Sequence, residues 1–144
     1  MIGKLRKFRL ISNNISFGPY PGPNDEVEQH LTVNSKGHVW LSRYVFGEHG
    51  FPPEKSEFKR FSISPGKAQF LLDSITQYFN NQYEDVFVTD VGNWTAVLTE
   101  ETGSEIKLTG ALCESIAGSR DISNLIRETV GDQSLFALDG NRCS

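Results

Sequence analysis

The stretch VEQHLTVNSKGHVWLSRYVF, residues 27–46, decides the fold. Val27, Gln29, Leu31 and Val33 alternate with Glu28, His30 and Thr32, which is the period of a half-buried strand. Asn34-Ser35-Lys36-Gly37 interrupts the alternation, and HVWLSRYVF resumes it. A glycine closing that tetrapeptide suits the left-handed position of a bulged hairpin turn. The turn sets Asn34 opposite His38. One face then pairs Val33 with Val39, Leu31 with Leu41, Gln29 with Arg43 and Val27 with Val45. The other pairs Thr32 with Trp40, His30 with Ser42 and Glu28 with Tyr44, and Phe46 continues it. A slip of one residue would exchange the two sets, so the pattern specifies its own register.

The chain reads outward from this hairpin. Residues 4–12 place Phe8 and Leu10 on one side and Lys7, Arg9 and Ile11 on the other. This first strand has a basic start that suits a solubilising edge position. EFKRFSI (57–63) is a further strand. Ser64 caps a helix with Pro65 at its first position, and Ala68, Leu71, Leu72, Ile75 and Phe79 form its apolar stripe. DVFVTD (85–90) and WTAVLT (94–99) are strands. Glu100-Glu101-Thr102-Gly103 repeats the earlier turn and sets Leu98 opposite Ile106 and Ala96 opposite Leu108. Asp121 caps a second helix, with Ile122, Leu125 and Ile126 inward and Gly131 as terminator. SLFAL (134–138) is a short strand or an extended segment on the core.

The order predicts an α+β fold: a mainly antiparallel, meander-rich sheet of about six to eight strands with two helices packed on it. The 144 residues fit a single domain, 1–144, with loose ends at 1–3 and 140–144. Apolar residues at 38% and charged residues at 22% are globular values.

The net charge of −4 argues against a general nucleic-acid binder, because phosphate recognition draws on clustered Lys and Arg. The charge is uneven: Lys4, Arg6, Lys7 and Arg9 fall within the first ten residues, with no acid among them. Cys113 and Cys143, without a secretory leader pattern, read as free thiols of a cytoplasmic protein. No apolar run approaches the roughly 18 residues of a membrane helix, so no membrane partner is expected.

Two surfaces are candidates for binding. The loops FGPYPGPNDE (17–26) and GEHGFPPEKS (47–56) emerge at the same end of the hairpin. Together they offer Phe17, Tyr20, Asp25, Glu48, His49 and Phe51, held by prolines that limit the entropy lost on docking. The second candidate is the aromatic sheet face, with His30, Trp40, Tyr44 and Phe46. Two helices suffice to cover both faces, so this row is expected to be core; it is free to stack bases or meet a protein only if both helices fall on the opposite side.

Catalytic constellations are not evident. There is no nucleophile elbow, phosphate loop or zinc-protease spacing. His30 and His38 stand about 14 Å apart along the sheet, too far to share one ion, so no metal or cofactor is expected. The expected function is that of a protein-binding module, with bacterial immunity and phage accessory proteins as analogies in size and build alone. The alternatives are a small enzyme or small-molecule binder between the two loops, with His49 as base and Glu48 or Asp25 its partner, and a self-associating structural subunit, a homo-oligomer formed through an uncovered sheet face or the basic first strand.

Overall fold

The computed structural model describes residues 1–14, 22–48, 52–83, 92–112 and 118–140. Six strands form one sheet: β1 (Leu5–Asn13), β2 (Glu26–Asn34), β3 (His38–Val45), β4 (Glu54–Ser62), β5 (Asn93–Glu100) and β6 (Glu105–Ala111). Every pairing is antiparallel, and the spatial order is β4-β3-β2-β1-β5-β6. Two helices, α1 (Pro65–Gln77) and α2 (Ser119–Val130), complete an α+β architecture. The expected strand at 85–90 lies outside the described residues.

The hairpin register follows the sequence pattern from Val33–Val39 to Glu28–Tyr44. It departs only at the far end, where a bulge sets Val45 opposite Glu26 instead of Val27. Gly37 makes the tight turn at φ 92°, and a Cβ there would lie 2.2 Å from the Ile63 carbonyl oxygen, so glycine is required twice over. β5 and β6 pair in the expected register, Leu98 with Ile106 and Ala96 with Leu108.

β1 is not the edge strand its basic residues suggest. It sits between β2 and β5, while β4 and β6 form the edges. The exposed β4 carries Glu54, Lys55, Glu57, Lys59 and Arg60, the charges that discourage edge-to-edge pairing.

α1 begins where Ser64 Oγ accepts the Lys67 N–H at 3.1 Å. Its stripe of Ala68, Leu71, Leu72 and Ile75 is fully buried, and a π-helical turn, Tyr78–Gln82, ends it. α2 starts earlier than Asp121: Gly118 is the N-cap, and Asp121 lies in the first turn, where its charge suits the helix dipole. Gly131 terminates α2 at φ 81°.

Both helices pack on the same side of the sheet. Phe8, Leu10, Leu31, Val33, Val39, Leu41, Ala96 and Leu98 form one core with Leu71, Leu72, Ile75, Ile122 and Ile126. The segment after α2 lies on this core without forming a strand. Phe136 N–H donates to Gln29 Oε1 at 2.6 Å, Ser12 Oγ donates to the Ala137 carbonyl at 2.7 Å, and Arg127 Nε donates to the Leu135 carbonyl at 2.8 Å. The Arg127 guanidinium also pairs with Asp139, both residues being buried. At the other terminus, Ile2 bonds Asn80 through both its N–H and its carbonyl.

Candidate functional site

With the helices on one face, the alternation of β1 to β4 presents a second face that no described helix covers. Three cross-strand lines define it. The first runs Arg60, Trp40, Thr32, Arg9; the second Phe58, Ser42, His30, Ile11; the third Lys55, Tyr44, Glu28, Asn13. The expectation that Trp40 and Tyr44 are core is therefore corrected. Both are half-exposed, because α1 and α2 share the opposite side. Phe46 does not continue the row: it lies beyond the end of β3 and is 8% exposed.

The rings are held by contact with one another and with cations. His30 and Tyr44 have centroids 4.6 Å apart, and His38 meets Trp40 edge-on at 5.8 Å. Lys55 Nζ lies 5.4 Å from the centre of Phe58 and 5.9 Å from that of Tyr44. Phe58 remains 55% exposed. Together Lys7, Arg9, His30, Thr32, Trp40, Tyr44, Lys55 and Phe58 line a shallow depression of about 450 Å³.

The two faces differ in how their charges are met. On the helix side, Arg43 is 8% exposed and bonded to three carboxylates: Glu26 at 3.0 Å, Glu57 at 3.1 Å, and Asp132. Burial alone would lower the Arg43 pKa, but Glu26 and Asp132 hold it above its usual value. Burial would likewise raise Asp132, yet the Ser134 hydrogen bonds and Arg43 keep it below the usual carboxylate value. On the open side, no described carboxylate pairs with Lys7, Arg9, Lys55 or Arg60. Glu28, on the third of the cross-strand lines, is bonded to Asn13 Nδ2 at 2.9 Å and His30 Nε2 at 2.7 Å.

Of the loop candidates, Phe17, Tyr20, His49 and Phe51 lie outside the described residues. Asp25 is exposed and accepts the Gly22 N–H at 2.7 Å; Glu48 is exposed. The described ends of the two loops adjoin, with Phe46 N–H donating to the Asp25 carbonyl and Gly47 N–H to the Pro23 carbonyl, both at 2.9 Å.

Sequence reasoning placed His30, Trp40 and Tyr44 on one face but missed Lys7, Arg9, Lys55, Phe58 and Arg60 as their neighbours. The alternation within EFKRFS carried the signal; the pairing of β4 with β3 was needed to read it. Among the described residues, no three His, Cys, Asp or Glu side chains converge as a metal site, and no helix is long and apolar enough to cross a membrane. No family model, curated protein or solved structure matches this chain.

Proposed function

We propose that this protein is a non-catalytic binding module whose working surface is the open face of its sheet. One observation carries the reading: α1 and α2 cover the same side, and the side they leave exposes Trp40, Tyr44 and Phe58 among Lys and Arg side chains that pair with no described carboxylate. Tryptophan, tyrosine and arginine are the residues that dominate binding hot spots. An aromatic left half-exposed forgoes burial energy of about 25 cal/mol per Å², which a partner would recover. The surface suits a macromolecule better than a small substrate, because the depression is wide and shallow.

Self-association through this face is the weaker reading. Two copies meeting face to face would oppose the same cations, and like charges in contact destabilise an interface.

The test uses a photo-crosslinking phenylalanine analogue at position 58, in cells expressing the full chain. The same analogue at Phe70, an exposed residue of α1, is the control. The expected result is partner capture from position 58 that Trp40→Ala abolishes, with none from position 70. Equal capture from both positions, or none from position 58, overturns the reading.

A further inference from the structure

We infer that the open face takes a short single-stranded segment of nucleic acid, an inference that rests on the binding-module reading above. Charge complementarity supplies the first argument. The protein spends carboxylates on Arg43 and Arg127 at the helix side, yet Arg9, Arg60, Lys7 and Lys55 meet no described carboxylate. These cations fit an anionic occupant.

Ring geometry supplies the second. Trp40 stands between two guanidinium groups on one cross-strand line: Arg60 is its direct partner on β4, and Arg9 lies beyond the small Thr32 on β1. Phe58 is the diagonal neighbour of Trp40, about 7–8 Å away, with Lys55 over its ring at 5.4 Å. Flat rings thus alternate with cations, and single strands are bound by that combination of base stacking and phosphate neutralisation. An acidic peptide would satisfy the cations and leave the ring faces unused. A duplex keeps its bases stacked inside and out of reach of these rings. Four strands span only about 14 Å, and the chain is acidic elsewhere, so the site holds a few nucleotides.

The experiment titrates the full chain with a labelled short oligothymidine, following label anisotropy and intrinsic fluorescence. Trp94 is 2% exposed, so quenching by the oligonucleotide reports Trp40. The expected result is quenching with an affinity that falls roughly fifty-fold between about 50 mM and about 200 mM salt, the loss for four neutralised phosphates on a single strand. Trp40→Ala is expected to weaken binding about tenfold or more, and Trp40→Phe to restore most of it. Such ring-for-ring rescue separates stacking from mere folding. Arg9→Glu with Arg60→Glu is expected to abolish binding, and Lys67→Glu on α1 to leave it unchanged.

A duplex of the same length and an Asp/Glu-rich peptide serve as competitors. No oligothymidine binding at low salt, equal binding by the double Arg variant, or displacement by the peptide but not by unlabelled oligothymidine overturns the inference. If position 58 still crosslinks to protein alone, the binding-module reading survives without nucleic acid. If position 58 captures nothing, that reading falls as well.

Discussion

At the scale of single residues, two sites in β5 and β6 show how local chemistry sets stability. Thr99 is 4% exposed, and its hydroxyl has no hydrogen-bond partner among the described residues. A buried hydroxyl left unpaired costs about 1–3 kcal/mol. Thr99→Val keeps the shape and the strand preference and removes the hydroxyl, so it is expected to raise stability by about 1 kcal/mol, read as a higher urea midpoint at unchanged slope. A lower midpoint would mean the hydroxyl has a partner in the folded chain. Gly110 is the converse case. The Trp94 indole lies across it, donating Nε1–H to the Ala111 carbonyl at 3.1 Å, and a Cβ on Gly110 would sit 2.4 Å from the ring. Gly110→Val is therefore expected to displace the indole, costing about 1–3 kcal/mol and moving the fluorescence of Trp94 to the red. The sequence hints at this, since an isolated glycine in a strand marks a close approach, but it does not say which ring arrives.

At the scale of elements, legibility followed sequence distance. The 27–46 hairpin carried its own register, because Gly37 and the alternation on either side are local and agree. β1 misled because its neighbours are decided by long-range pairing: nothing between residues 5 and 13 announces that β5 will close beside it. The start of α2 misled for a smaller reason, since Asp121 is an adequate cap in isolation and Gly118 is not a side-chain cap at all. The segment after α2 has no period, because it is held by side chains of other elements rather than by a ladder. Arg127 is its anchor, and Asp139→Ala is expected to destabilise the fold by about 3–5 kcal/mol, because the guanidinium would stay buried without its carboxylate. A loss below about 1 kcal/mol in a denaturant titration would show the pair to be dispensable. Arg43 and Asp132 tie β3 to the same segment. Asp132 has a folded pKa below its unfolded one, so its contribution is fully present above the ordinary carboxylate value and is lost as pH falls through the folded value. Asp132→Asn is expected to lower the melting temperature at neutral pH and to flatten its decline in acid. An acid limb as steep as that of the parent protein would remove Asp132 from this role.

At the scale of the whole molecule, the informative property is how charge is distributed between faces. A net charge of −4 describes a chain seen from afar. Near the surface, fields are screened over about 10 Å at 0.1 M salt, a length close to the width of the four-strand face. A polyanion docking there responds to Arg9, Arg60, Lys7 and Lys55 before it responds to the acids gathered around Arg43 and Arg127 on the other side. The sequence offered the cations but not their separation from the acids, because Lys55 and Arg60 join Lys7 and Arg9 only through the β1-β2-β3-β4 pairing. Segregation of this kind has a measurable consequence independent of any particular partner. On a phosphocellulose column at neutral pH, a uniformly acidic protein elutes in the void volume. This chain is expected to be retained at low salt and released as the Debye length shrinks below the patch width. Arg9→Glu with Arg60→Glu removes two positive charges from one face and adds two negative ones, and should abolish retention. The same two reversals made on the helices, Lys67→Glu on α1 and Arg120→Glu on α2, change the net charge equally and should leave most of it. If both pairs shift elution by the same amount, net charge governs, and the open face has no electrostatic identity of its own.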